Sequence, residues 1–466
     1  MKLLCKVVMM GSLDNESPLL ISTGEGQWID KEILRGYDGI PYIPATVLIG
    51  VLRHEYAKYF AETTAEEEYF FGSPQSSQTD AIQSHFMLED ALPVNRQAAV
   101  PVSVRDGIKI NSQTGIVQYG AKYNYEIVEA GHHFSLSGEL TLYQDDKNAV
   151  ASDMDKFLSQ ITAILKRGIH VGAKTRTGFG KLKCDNIVFY RFNFPQDGEK
   201  WFRYLDNNFE SLDVYEPLLL DLPSINKVIV DADFHLKRSL IIASYSVDPK
   251  LPDKTHIESR MQSVIPGTAI KGAFRHQTER IIRTLQQHRN GNAHERDNVS
   301  EKFCQHLFGH VASETQESRQ AMSSRFFVEE SILSGEKRMI QSRIRVDRFT
   351  GGVINGALFD EQPIFHGNET IHLTFGIISP QQSEIGLLLL LLKDLWTGHL
   401  PLGGEIGIGR GLLTGQRARI TYFHEGVKEI INVDDYSDTL SFSNLELAQS
   451  FVKTFVDFIK GEQEMQ

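Results

Sequence analysis

The chain carries only three cysteines in 466 residues, at positions 5, 184 and 304. They are too scattered for a disulfide framework or a paired thiolate zinc site, which fits a reducing, cytoplasmic setting. It also lacks a long hydrophobic run. The greasiest stretch, "IGLLLLLLKDLW" at 385–396, is too short to cross a bilayer and reads as a buried helix. The opening "MKLLCKVVMMGSLDNE" meets Asp14 and Glu16 too early for a secretory leader, and no membrane partner is expected. Surplus positive charge is missing as well: 48 Lys and Arg face 60 Asp and Glu, a formal net charge of −12. That balance excludes a generic polyanion binder, whose nonspecific affinity comes from excess cations. It leaves room for a local basic track. Lys254, Arg260, Lys271, Arg275, Arg280, Arg283 and Arg289 stand against only Glu258 and Glu279 in one stretch.

What is present is a repeat. "IPATVLIGVLRH" at 43–54 and "IPGTAIKGAFRH" at 265–276 share six of twelve positions at an offset of 222. Phe71-Gly72 parallels Phe308-Gly309. "IKINSQTGIVQYGAKYNYE" (108–126) parallels "IRVDRFTGGVINGALFDEQ" (344–362) at an offset of 236. "VGAKTRTGFGKLK" (171–183) parallels "LGGEIGIGRGLLT" (402–414) at an offset of 231. Four landmarks in one order, at nearly constant spacing, indicate a duplicated domain. The first unit is expected over 1–194, a connector over 195–224 and the second unit over 225–425. An extension over 426–466 carries an amphipathic helix, marked by Ala448, Phe451, Val452, Phe455 and Ile459.

Within each unit the pattern runs strand, loop, helix, strands, helix, strand, an α+β arrangement. Thr46 and Thr268, two residues after the repeated proline, are expected as helix N-caps. A helix N-terminus offers free N–H groups to phosphate, and Lys271 and Arg275 share one face behind it. The alternative there is an amphipathic helix with a solvated basic face. The stretches "GAKTRTGFG" (172–180) and "GGEIGIGRG" (403–411) end in no Gly-Lys-Ser/Thr and follow a helix, so neither is a Walker loop or a dinucleotide fingerprint. Two such loops in register favour close ligand approach over a mere tight turn. Arg343, Arg345 and Arg348, interleaved with Phe349 and Phe359 around Gly351-Gly352, suit a basic hairpin that grips nucleic acid, the alternative being a charged edge hairpin.

In combination, "IPGTAIKGAFRH", Phe308-Gly309, "RIRVDRFTGGVINGALFDEQ" and "GGEIGIGRGLL" resemble the RAMP superfamily of CRISPR systems. The likeness is to the backbone subunits of type III effector complexes, and two units in tandem resemble the fused backbone proteins of type III-D-like complexes. The resemblance implies two RRM-like, ferredoxin-like (βαββαβ) domains, each with a β-hairpin thumb. It implies guide (CRISPR) RNA, single-stranded target RNA and other type III effector subunits as partners. Thr268, Lys271 and Arg275 would hold the guide backbone. Arg343, Arg345 and Arg348 would belong to the thumb, and Gly403, Gly404, Gly409 and Arg410 to a loop approaching RNA. In the first unit Thr46, Arg53, Lys174 and Arg176 take these places. There Ile49 departs from the family's lysine, and Asn111 and Ser112 replace Asp347 and Arg348.

The family also cuts target RNA with an aspartate in the loop before the Ile-Pro motif. Asp30 stands fourteen residues before Pro44, and in the second unit Asp253 and Asp248 both compete for the place, with Glu258 a weaker third. A carboxylate is a weak base at neutral pH, so the expected role is to hold a divalent cation, Mg2+ or Mn2+, at Asp30 or to orient the attacking 2′-hydroxyl. His54 and His276, midway along amphipathic helices, are read as structural. The competing expectations are a non-catalytic guide-RNA scaffold and a guide-RNA-processing endonuclease.

Overall fold

The computed structural model describes residues 2–461 apart from 25, 27–28, 61–63, 75–80, 112–113, 144–150, 211, 246–249, 287–292, 311–320, 366, 368–369 and 437–438. Asp248, Ser112 and Arg289 lie outside the described residues. The chain forms two compact units. Residues 1–107, 123–175 and 179–223 make the first, and residues 108–122, 176–178 and 224–466 the second.

The first repeat begins with strand β1 (Leu3–Asn15) and helix α1 (Ala45–Phe60). Strands β2 (Phe86–Leu88) and β3 (His133–Tyr143), helix α2 (Ala151–Arg167) and strand β4 (Ile187–Asn193) follow. The sheet order is β2-β3-β1-β4, with antiparallel neighbours. The second repeat repeats the plan with β5 (Lys227–Leu236), α3 (Gly267–Leu285), β6 (Phe326–Val328), β7 (Ile371–Ile378), α4 (Gln382–Trp396) and β8 (Leu413–His424), ordered β6-β7-β5-β8. Both are α+β ferredoxin-like βαββαβ folds, in agreement with the sequence.

Period-two burial builds each sheet's inner face. Cys5, Val7, Met9 and Leu13 of β1 meet Leu48, Leu52 and Tyr56 of α1 and Phe157, Ile161 and Ile164 of α2 in one core. Val228, Val230, Ala232 and Phe234 of β5 play the same part with Ile270, Phe274 and Ile282 of α3. Helix α4 is buried nearly all round, which explains its unbroken leucines. Its second side is covered by helix α5 (Leu445–Lys460), reached through strands β9 (Val427–Tyr436) and β10 (Thr439–Phe442), which extend the sheet past β8. Ala448, Phe451, Phe455 and Ile459 of α5 face this core. A Cβ on Gly386 would lie 2.1 Å from the Phe451 carbonyl oxygen, so only glycine lets α5 come this close. After β4, Trp201 meets Phe192 edge-on and Tyr204 packs tilted against it, and Val214–Tyr215 pairs with the strand. No helix among the described residues is long and apolar enough to cross a membrane.

Between the second and third core strands each repeat inserts a long hairpin. The strands are Val102–Ile110 with Val117–Val128 in the first, and Gln341–Val346 with Val353–Gln362 in the second. These hairpins, the loop ahead of each Ile-Pro helix and the glycine loop ahead of the last core strand carry the candidate site.

Candidate functional site

The aspartate loops are fastened to the hairpins in the same way in both repeats. The Asn124 backbone N–H donates to Asp30 Oδ2 (2.7 Å), and the Asp30 N–H donates back to Asn124 Oδ1 (2.8 Å). In the second repeat the Asp360 N–H donates to Asp253 Oδ2 (2.9 Å). Asn124 and Asp360 are 236 residues apart, the hairpin offset of the repeat. The next residue repeats the match: Lys31 bridges in parallel to Tyr125, and Lys254 to Glu361. Asp253 is therefore the positional counterpart of Asp30. Both side chains are exposed. Glu258 is an ion-pair partner of Arg338 in a different short hairpin and does not reach this position. The Asp-Lys dipeptide shared by the two loops is the sequence signal that marks the pair.

The glycine loops are superposable bond by bond. Val171 N–H donates to the Gly180 carbonyl and Leu402 N–H to that of Gly411, each at 2.9 Å. Ala173 N–H reaches Leu20 and Gly404 N–H reaches Ile241, each at 2.8 Å. A Cβ on Gly180 or Gly411 would lie 1.9 Å from the carbonyl oxygen of Val171 or Leu402, and both glycines have φ near +76°. Gly403 is held in the same manner by the Ile241 carbonyl oxygen, 2.5 Å from its would-be Cβ. These glycines are fixed by the chain's own backbone, which corrects the ligand-approach expectation for Gly403; Gly409 keeps a positive φ of 82° that closes the turn. Gly404, by contrast, is exposed beside the exposed Ile406 and Ile408 and leaves an open backbone surface.

Arg410 needs a further correction. It is 2% exposed and forms ion pairs with Glu361 and with Glu405 (2.9 Å), so it braces the loop from inside and does not point at an external phosphate. Glu361, itself fully buried, also holds Arg343. Two positive groups share one buried carboxylate, so removing either arginine would leave the buried charge less compensated. Arg53 and Arg275 share a second structural task. Arg53 Nε donates to Glu67 Oε1 (2.7 Å) in the helix Thr64–Phe71, and Arg275 Nη1 donates to the Gly309 carbonyl (3.3 Å) after the helix Ala293–Phe308. Each ties its Ile-Pro helix to the following one. Part of the basic track is engaged as well: Lys254 pairs with Glu405, and Arg275 and Arg283 with Glu279.

Thr46 and Thr268 are not N-caps. Helix α1 starts at Ala45 and α3 at Gly267, directly after the proline, whose φ of −63° and extended ψ in Pro266 end the preceding strand and start the helix. The threonines sit in the first turn, Thr46 exposed and Thr268 half-buried. In the first repeat the Ala45 N–H donates to Asp90 Oδ1 (2.7 Å). A carboxylate already occupies that helix start and opposes a phosphate there. Lys271 is half-buried on α3, while Ile49 packs at the edge of the first core.

The hairpin tips stay open. Arg345, Arg348 and Phe349 are exposed, Phe349 at 92%, with Ile344, Val346, Val353 and Leu358 also exposed along the strands. Asp347 Oδ1 accepts from the N–H groups of Thr350 (2.8 Å) and Phe349 (2.9 Å), which hold its carboxyl below the ordinary carboxylate range. Asn111 Oδ1 accepts from the Thr114 N–H (3.0 Å) in the equivalent turn. The Asp347-to-Asn111 exchange thus preserves turn geometry. In the first repeat the exposed apolar groups include Ile108, Ile116 and Tyr119. Arg176 is half-buried in the one-turn helix Thr175–Thr177.

Two duplicated ferredoxin-like domains, each with an inserted hairpin and a glycine loop before its last core strand, agree with what family comparison finds. The RAMP superfamily model matches residues 12–183 and again residues 249–414. The chain belongs to the RAMP superfamily. Among curated proteins none matches it. RAMP proteins bind RNA and work in multi-subunit CRISPR complexes, and membership suggests an RNA-binding subunit associated with type III systems.

Proposed function

We propose that this tandem RAMP protein is a guide-RNA-binding backbone subunit of a type III-D-like CRISPR effector complex that cuts target RNA at two positions, one beside Asp30 and one beside Asp253. The observation that supports two cuts is the shared bond from a hairpin N–H to one carboxylate oxygen. It engages one oxygen of each carboxylate, on residues that stay exposed. Guide RNA would be contacted by the exposed groups of the hairpin tips, Arg345 and Arg348 with Phe349, by the open Gly404–Ile408 surface, and by Thr268 and Lys271 at the start of α3.

In the cut, the free carboxylate oxygen accepts a hydrogen bond from the 2′-hydroxyl and turns its oxygen in line with the adjacent phosphorus. The P–O2′ bond forms as the P–O5′ bond breaks. The 2′-hydroxyl proton is lost and the 5′ oxygen gains one, giving a 2′,3′-cyclic phosphate and a 5′-hydroxyl. The chain's contribution is positioning, which supplies most of what a weak base cannot. Asp30 would supply a carboxylate to the divalent cation expected there. Among the described residues no group of three His, Cys, Asp or Glu side chains is arranged to hold a metal ion, so no step is routed through one.

The same hydrogen bond favours one competing reading, in which the aspartates only strap the loop to the hairpin of a non-catalytic scaffold. Asp30→Asn separates the two, because an amide oxygen still accepts from the Asn124 N–H while the negative charge is gone. In guide-loaded complex, one of two cuts should fall about a hundredfold or more with guide binding intact. An unchanged cleavage ladder would overturn the catalytic reading and leave the scaffold.

A further inference from the structure

Each repeat has a short turn between its aspartate and its Ile-Pro helix, and each turn presents one large apolar side chain to solvent. In the first repeat Arg35 bridges to Pro41 and the Gly36 N–H donates to the Ile40 carbonyl (2.9 Å). Tyr37 stands at the tip, 106% exposed. In the second repeat Glu258–Ser259 pairs with Gln262–Ser263, and Met261 stands at the tip, 89% exposed. A single exposed apolar residue is ordinary on a protein surface. Two of them at corresponding turns of a duplicated chain, seven residues after Asp30 and eight after Asp253, point to a shared task.

Both turns are clamped five residues after the aspartate by an ion pair whose charges are exchanged between the repeats. Arg35 donates through Nη1 to Glu126 Oε2 (2.9 Å) and through Nη2 to Oε1 (3.0 Å), and the Ile33 N–H donates to the same Oε2 (3.0 Å). Glu126 lies two residues beyond Asn124, the partner of Asp30, about 7 Å along the same hairpin strand. In the second repeat Glu258 takes the place of Arg35 and pairs with Arg338, which also donates through Nη2 to Ser263 Oγ (3.0 Å) in the same turn. Such pairs set geometry more than stability. The second turn also keeps its side chains at a cost. Arg260 and Met261 both adopt left-handed backbone, at φ 51° and 62°, where Asn-Gly would fit without strain. Conformations of this kind in non-glycine residues concentrate where a side chain has a task.

We propose that Tyr37 and Met261 are base-contacting residues, each packing against a nucleobase of the single-stranded target RNA beside the cut of its own repeat. Tyr37 stacks on the base, and Met261 lays its thioether against the base face. The proposal rests on the reading that the aspartate loops cut, and deepens it by naming residues that position the nucleotide. Asp38 Oδ1 accepts from the Ile40 N–H (3.1 Å), and its charge beside Tyr37 opposes a phosphate there, so a base face is the part of RNA that fits the tip. Every base has such a face, so the contact is independent of sequence, as suits a protein whose specificity comes from a guide. Holding the base leaves the adjoining sugar and phosphate to meet the carboxylate in line.

The test uses the full chain in its guide-loaded complex, with target RNA carrying 5-iodouridine at positions flanking each cut. Irradiation should join Tyr37 to the target near the cut lost in Asp30→Asn, as located by mass spectrometry of the digested adduct. In single-turnover cleavage Tyr37→Ala should slow that cut about tenfold at saturating target, with target occupancy and the other cut unchanged. Tyr37→Trp, which keeps the stacking face and removes the hydroxyl, should retain the wild-type rate. Met261→Ala should slow the second cut severalfold, and Met261→Leu should not. Both side chains lie outside the core, so the alanine variants should unfold at the wild-type temperature. The Arg260→Asn, Met261→Gly double variant should unfold at a higher temperature yet cut more slowly at the second position. Wild-type rates in Tyr37→Ala and Met261→Ala, or adducts only with guide RNA or another protein, would overturn this inference with the aspartate effects intact. Unchanged cleavage in both aspartate variants, with the Tyr37 adduct still formed, would overturn the cleavage reading and leave the base contact standing.

Discussion

The first repeat surrounds its aspartate loop with tyrosines and an ammonium; the second surrounds an equivalent loop with a partly buried set of ion pairs. Tyr123, Tyr125 and Lys174 in one correspond to Phe359, Glu361 and Glu405 in the other, on backbones that make the same hydrogen bonds. Duplicated backbones held by glycine and main-chain bonds tolerate a complete change of side-chain chemistry. The two copies have thus kept one geometry and diverged in electrostatics.

The comparison breaks first at the aspartates. The Asp30→Asn, Asp253→Asn double variant should lose both cuts by about a hundredfold or more, whereas each single variant loses one; target cleavage with position-resolved products reads this. A double variant that still cut at both positions would make the loops alike only as scaffolding.

Next in size are the glycines that make the loops alike. Gly180→Ala and Gly411→Ala each place a methyl 1.9 Å from a carbonyl oxygen at a positive φ, and each should cost about 4 kcal/mol in denaturant unfolding. Gly404→Ala, whose Cβ would stand 3.6 Å from its nearest neighbour, should cost about 1 kcal/mol or less. A small effect at Gly411 would show that the loop relaxes and that its glycines serve something else.

A smaller asymmetry lies just behind the second aspartate. His256 is buried where the first repeat has Ile33. Its Nε2 donates to the Val264 carbonyl (2.9 Å) and its Nδ1 accepts from the Ile242 N–H (3.2 Å), and burial pushes its pKa from the ordinary 6.5 down to about 4. Above pH 6.5 both folded and unfolded chains carry it neutral. As pH falls toward 4 the unfolded chain takes up a proton that the folded one refuses, so the second repeat should lose up to about 3 kcal/mol across that window. Unfolding followed by pH in wild type and in His256→Gln tests it; an equal pH slope in both would show that other groups carry the acid sensitivity. Smallest of all is the tip exchange. Asn111→Asp should change stability by only about 0.5 kcal/mol and leave both cuts intact, since either side chain accepts the same turn N–H groups.

Several of these features were legible in the sequence and others were not, for a physical reason. The glycine spacing, the Ile-Pro motif and the hairpin tips are patterns of residues within a dozen positions of one another, so their repetition could be read directly. The threonine N-caps were misplaced by two residues because proline itself begins the helix. Arg53, Arg275 and Arg410 look like phosphate ligands by type. Their partners, Glu67, Gly309 and Glu361, stand 14, 34 and 49 residues away, and only folding brings them together. Asp253 and Asp248 could not be ranked by spacing, since the deciding contact is with the Asp360 backbone 107 residues on.

By itself the sequence determined the duplication, the α+β domains and the presence of an aspartate ahead of each helix, because periodicity and turn chemistry are local. Tertiary structure alone decided which charges remain available. A charged side chain has no fixed role until its neighbours are known: whether an arginine meets RNA or a buried glutamate depends on what the fold places within a few ångströms, as does whether Lys254 is engaged by Glu405.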